Sequence, residues 1–177
     1  MSGDRYFAFL RAINTGNRRL TNDELLAPFL DLGFSDVAAY QAAGNVTFRT
    51  EGDVDEGGIE RVLAGAYGFD TPTFVRSAVD VEAIVGVEPF SQSEIASTAG
   101  KIQVALLRTV PSSDQLAALE AMVPAEDRVR VVGREWYWLP VAGISTSAMP
   151  IGQIERLLGE MTMRTLGTLQ RMASRFG

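Results

Sequence analysis

The chain has 177 residues, a formal net charge of −6 and a hydrophobic fraction of 46%, the balance of an ordinary globular protein with room for one domain or two small ones. It contains no Cys and no His, which excludes disulfides, thiol nucleophiles, Ser-His-Asp triads and the transition-metal sites built on those ligands. The acidic balance opposes nucleic-acid phosphates, and no run reaches the roughly 18 apolar residues needed to cross a bilayer.

The first residues, Met-Ser-Gly-Asp-Arg-Tyr-Phe, lack the basic region, apolar run and cleavage site of a signal peptide, so a soluble, cytoplasmic protein is expected. Arg5 to Ile13 is an apolar run of β-formers and predicts a buried strand. Asn14 to Asn17, with Gly16, predicts a loop. A helix follows, with Thr21 and Glu24 spaced as a capping box. Leu25, Phe29 and Leu32 share one face, and Pro28 predicts a kink. Gly33 suits the left-handed position after the helix, from which Phe34 folds back onto Phe29.

Val37 to Gln41 and Asn45 to Thr50 predict two strands joined by a turn containing Gly44. Asp53 or Asp55 caps a second helix, which carries Ile59, Val62, Leu63 and Ala66 inward and stops at Gly68-Phe69. Thr73 to Ser77 predicts a fourth strand. The order β-α-β-β-α-β is the ferredoxin-like split arrangement.

A short helix from Asp80 to about Val87 leads to Pro89-Phe90. The polar stretch Ser91 to Gly100 is the candidate boundary, giving lobes of 1–90 and 91–177. Lys101 to Thr109 predicts a strand. A helix capped by Ser112 or Ser113 then buries Leu116, Leu119 and Met122. Val129 to Val132 and Glu135 to Leu139 form a hairpin across Gly133-Arg134, a candidate type II′ turn. Pro150 opens a helix to about Leu158, and a last helix from about Thr165 buries Leu169, Met172 and Phe176. The fold class is therefore α+β: a ferredoxin-like first lobe, then a related but degraded β-α-β-β-α-α lobe.

Topology gathers polar residues in the first lobe. The loop after the first strand and the hairpin from Gln41 to Asn45 lie at one end of the sheet, where the second helix also finishes. Arg11, Asn14, Gly16 and Asn45 are expected to share that rim beside the start of the first helix. Backbone N–H groups at a helix start attract anions, and an Arg grips phosphate or carboxylate through two parallel bonds. Each residue also has a plain role. Asn14 and Asn45 are typical turn residues, Gly16 and Gly44 permit positive φ, and Arg11 is a candidate partner for Asp36.

The same segments resemble the domain-of-unknown-function family 1697. Leu10 to Asn17, LRAINTGN, is similar to its LRGINVGG-like motif, and Ala43 to Phe48, AGNVTF, to its SGNVVF-like signature. Gly68-Phe69-Asp70, Val75-Arg76-Ser77 and Pro89-Phe90 are further similarities. Thr162 to Leu169, TMRTLGTL, is a weaker match to a TTRNWNTV-like motif. Ala12 stands where the family has glycine, Ala43 where it has serine, and Thr165, Leu166 and Gly167 where it has Asn-Trp-Asn. Arg164 and Thr168 are retained. The resemblance implies no activity; it marks Arg11, Asn14, Gly16, Gly44, Asn45 and Arg164 as the residues to watch.

Three functions compete. The first is a site for a small anionic ligand at the rim, with no catalytic group, metal or cofactor assigned. The second is a nucleic-acid module reading bases through sheet aromatics. Phe7, Phe9 and Arg11 would form that face, but burial of both rings is the expectation. The third is an interaction module, because Trp136-Tyr137-Trp138 exposes an aromatic if it alternates as a strand, against the plainer role of a second core. The oligomeric state is left open.

Overall fold

Strand β1 (Asp4–Leu10) sorts its side chains by strict alternation. Ala8 and Leu10 enter a core beneath the first two helices, with Tyr6 packed at its border. Phe7 and Phe9 point to the opposite face and are also fully buried. The computed structural model describes residues 3–13, 19–41 and 43–177.

Helix α1 (Asn22–Asp31) begins with the expected capping box between Thr21 and Glu24 and runs through Pro28. It ends as the sequence predicts. Gly33 has φ of +80°, Phe34 N–H donates to Phe29 O at 3.2 Å, and the two rings meet at 6.4 Å. Strand β2 (Ser35–Ala39) starts two residues earlier than expected and is irregular between Ser35 and Ala38. Strand β3 (Asn45–Thr50) follows. Helix α2 (Glu56–Tyr67) is capped by Asp55, and strand β4 (Thr73–Ser77) leads directly into helix α3 (Ala78–Gly86). The sheet order is β2-β3-β1-β4, with all neighbours antiparallel. This is the ferredoxin-like order that the β-α-β-β-α-β reading requires.

The second sheet repeats that order. Helix α4 (Gln92–Ala96), capped by Ser91, lies in the stretch read as a polar connection. Strand β5 (Gln103–Leu107) precedes helix α5 (Ser113–Met122), the hairpin of strands β6 (Arg128–Val132) and β7 (Glu135–Leu139), and helix α6 (Ile151–Leu158). Strand β8 (Met161–Thr165) and helix α7 (Leu166–Phe176) complete the chain. The order is β6-β7-β5-β8, again antiparallel throughout.

Two expectations are corrected here. The second lobe is not degraded to β-α-β-β-α-α, because Met161–Thr165 forms the missing fourth strand. Its alternation is short, Met161 and Met163 against Thr162 and Arg164, and Thr165 ends the strand where the last helix begins as expected. Nor does the Trp136-Tyr137-Trp138 run expose an aromatic. Trp136 and Trp138 stack at 6.2 Å inside the helix-covered core, and Tyr137 is buried on the other face with its hydroxyl donating to Ile84 O at 3.0 Å. Strand β7 is interior to its sheet and is covered on both sides, so alternation decides which face a ring takes but not whether it sees water.

The chain divides into two compact units. The first is Met1–Ala83 with Met172–Gly177, and the second is Ile84–Arg171.

Candidate functional site

The rim of the first unit is built where three connections meet. Leu10 N–H donates to Gly44 O at 2.7 Å, and Arg11 N–H donates to Pro72 O at 2.8 Å. The end of β1 is thereby tied to the β2–β3 hairpin on one side and to the α2–β4 connection on the other. Gly44 is required here. Its φ is +69°, and a Cβ would sit 2.9 Å from Leu10 O and 3.1 Å from Ile13 Cβ.

Asn45 is fully buried. Its Nδ2 donates to Tyr40 O at 3.1 Å, and its carbonyl accepts Tyr40 N–H at 2.8 Å. It closes the hairpin, the turn role that asparagine commonly fills. Arg11 is half-buried just beyond β1. Asp36, offered as a plain partner for Arg11, is paired instead with Arg5, with Arg49 Nε at 3.5 Å. The structure thus brings Arg11, Gly44 and Asn45 together. Asn14 and Gly16 lie outside the described residues.

The start of α1 is already furnished. Glu24 N–H donates to Thr21 Oγ1 at 3.2 Å, and Thr21 N–H donates to Glu24 Oε2 at 2.8 Å. These bonds hold the Glu24 carboxyl below its ordinary range. A negative side chain therefore sits where the helix terminus would attract an anion.

Of the three described non-glycine residues with positive φ, two lie at this rim and the third, Asp36 at +48°, lies in β2. Ala12 has φ of +60° and Gln41 of +58°, a conformation costly for residues with a Cβ. Both lie in the connections joined through Gly44. Sequence reading placed Gln41 in the hairpin at this end but missed its positive φ, and it missed the part played by Pro72. The one available signal was that Ala12 occupies a glycine position of the resembled motif.

Arg164 belongs to the second unit. It lies on β8 opposite Val104 and donates to Thr162 Oγ1 at 2.9 Å and Met163 O at 2.8 Å. Burial pushes its guanidinium down to about 10, which leaves it charged at neutral pH. Among the described residues no group of acidic side chains is placed to hold a metal ion, and no helix is long and apolar enough to cross a membrane.

A family model described as a protein of unknown function, DUF1697, matches residues 4–137. The chain belongs to the DUF1697 family. In this DUF1697 protein the match takes in Arg11, Ala12, Gly44 and Asn45 and stops before Arg164. A solved structure of a conserved bacterial protein from Streptococcus pneumoniae is similar over 98% of both chains, with a TM-score of 0.71 and 19% identity. That likeness extends the shared fold beyond the family match, across both sheets. No curated protein matches the sequence.

Proposed function

We propose that the first unit binds a small anionic ligand at the rim formed by the β1–α1 connection and the β2–β3 hairpin. The observation that carries this reading is the pair of strained, non-glycine residues, Ala12 and Gln41, at connections tied together through Gly44. Strain of this kind persists where the surroundings over-determine it and is concentrated at ligand sites. Arg11 supplies the charge, while the capped start of α1 contributes less than the sequence suggested. Asn14 and Gly16 belong to the proposal through the same connection, and Arg164 through the family motif. We further infer a cytoplasmic setting, in keeping with a chain that uses no cysteine.

The rival readings are less well supported. A base-stacking sheet needs open aromatics, and Phe7 and Phe9 are 0% exposed. An interface built on Trp136–Trp138 meets the same objection.

The test is thermal melting of the full chain with inorganic phosphate, a sugar phosphate and a dicarboxylate, since binding to the native state raises its stability. Arg11→Ala should weaken the responding anion by about ten- to a hundredfold, the loss of one charge-assisted bond, with little change in urea unfolding. Arg164→Ala is the companion variant. Binding by Arg11→Ala equal to wild type would end this reading.

A further inference from the structure

The rim end of the first sheet carries aromatic groups on the same face as Arg11. The β1–β4 register pairs Phe9 with Phe74, and the bond from Arg11 N–H to Pro72 O continues it by one further pair. Alternation therefore keeps Arg11 on the face of Phe9. Phe9 is opposite Asn45, and Asn45 O accepts Tyr40 N–H at 2.8 Å. The same register sets Arg11, Phe9, Asn45 and Tyr40 on one face, away from the helix-covered core that takes Leu10, Val46 and Ala39.

The end of α7 reaches this face through Phe176. Its ring meets that of Tyr40 at 6.1 Å and 84°, an edge-to-face pair. Phe9 and Asn45 are fully buried, whereas Tyr40 and Phe176 both keep exposed surface. The Arg175 guanidinium stands 5.2 Å from the centroid of the Phe176 ring, a cation–π contact. Arg175 is exposed and forms no ion pair among the described residues. A ring pair that only fastened the helix would gain most from complete burial. Here two partly exposed rings and an unpaired cation stand at the hairpin, where Tyr40 is followed by the strained Gln41.

We propose that Tyr40 and Arg175 set the class of the rim ligand: an aromatic heterocycle carrying a phosphate, as in a mononucleotide. The inference rests on the anion site proposed above. Arg11 would meet the phosphate, and Arg175, braced on Phe176, would bring a second fork of donors to it. Tyr40 would stack on the heterocycle. Stacking of this kind accepts any base, because every base has a π-face. Tyr40 lies past the end of β2, so this reading does not call on the buried rings Phe7 and Phe9. The net charge of −6 opposes a longer polyanion, which favours a free mononucleotide over the end of a nucleic-acid strand.

The test is calorimetric titration of the full-length chain with adenosine monophosphate, ribose 5-phosphate and a 5′-phosphorylated oligoadenylate. Adenosine monophosphate should bind about tenfold or more tightly than ribose 5-phosphate, the contribution of one stacked base. Tyr40→Leu should remove that advantage and leave ribose 5-phosphate binding unchanged, while Tyr40→Phe, which keeps a ring, should retain it. Arg175→Gln should weaken both ligands about tenfold, with urea unfolding unchanged. No advantage for adenosine monophosphate, an advantage that persists in Tyr40→Leu, or wild-type binding by Arg175→Gln would overturn the proposal. Tighter binding of the oligoadenylate would overturn the choice of a free mononucleotide. Ribose 5-phosphate bound in an Arg11-dependent way with no gain from the base would leave the anion site standing and remove this inference alone; binding of neither would end both.

Discussion

Arg76 and Arg164 hold the same position in the two units. Each is the fourth residue of its sheet's last strand, opposite Phe7 on β1 and Val104 on β5 respectively. Each donates to the carbonyl of the preceding residue, at 2.9 and 2.8 Å. Each is followed by a hydroxyl residue that starts the next helix: Ser77 Oγ accepts Asp80 N–H, and Thr165 Oγ1 accepts Thr168 N–H, both at 3.1 Å. The repeat is thus carried by a strand-to-helix junction rather than by continuous sequence similarity.

Arg76 is 1% exposed and 3.9 Å from Glu56 Oε1. Arg76→Ala should lower the unfolding free energy by about 3 kcal/mol, the scale for removing one partner of a buried pair. Arg76→Met, which restores volume without charge, should cost less. Urea unfolding of both variants measures this, and an unchanged midpoint for Arg76→Ala would refute it.

Glu60 Oε1 accepts Thr73 N–H and Glu56 Oε1 accepts Val75 N–H, both at 2.7 Å. These carboxylates occupy donors that an edge strand otherwise offers to other chains. Glu60→Ala should cost about 1.5–3 kcal/mol, the range for a hydrogen bond to a charged group. It should also increase self-association, read by light scattering.

The rim residues should respond to substitution in opposite directions. Ala12→Gly should raise stability by about 1 kcal/mol, because glycine adopts φ of +60° without a Cβ clash. Gly44→Ala should lower it by about 1–3 kcal/mol through positive φ and the approach to Leu10 O. Equilibrium unfolding of the two variants gives the signs directly.

Asp127 is buried and accepts three hydrogen bonds: Trp138 Nε1 at 2.9 Å, Ser147 Oγ at 2.5 Å and Val141 N–H at 3.1 Å. Asp127→Ala should cost about 3 kcal/mol or more, since several buried donors lose their acceptor together. Trp136 Nε1 is buried with no hydrogen-bond partner among the described residues. Trp138→Phe should therefore destabilise more than Trp136→Phe, a comparison made by thermal unfolding.

Acid should loosen two helix starts. Bonds from Thr21 and Ser91, backbone first, hold the Glu24 and Glu94 carboxyls below the ordinary glutamate range. A lowered folded pKa contributes stability that is fully present above the unfolded value of about 4.3 and is lost as pH falls through the folded value. Glu24→Gln and Glu94→Gln should flatten the stability–pH curve in that acid range and leave its shape at neutral pH unchanged.

Local chemistry made much of the fold legible. Asn45–Thr50 and Thr73–Ser77 form strands over the expected spans, and Thr21–Glu24 and Gly33–Phe34 bound α1 as their residue types demand. Strand β8 was not legible, because its apolar alternation amounts to two residues, Met161 and Met163, and it runs directly into the helix signal that follows. The fate of Trp136–Trp138 depends on tertiary cover, which periodicity does not encode. At the rim, topology alone brought Arg11, Gly44 and Asn45 together. The positive φ of Gln41 was hidden, since that residue type does not advertise it, and that of Ala12 was signalled only by the glycine at its place in the resembled motif.

The assignment of Met172–Gly177 to the first unit has a consequence for biosynthesis. Met172 is fully buried, and the Phe176 ring meets Tyr40 edge-on at 6.1 Å, beside the Asn45 closure. Domains commonly fold in turn from the N-terminus as the ribosome delivers them. Here the first unit emerges early but lacks part of its own packing until residues 172–177 have been translated. The second unit, begun later, has all of its residues first. The rim beside Tyr40 is therefore among the last parts of the nascent chain to acquire its final surroundings.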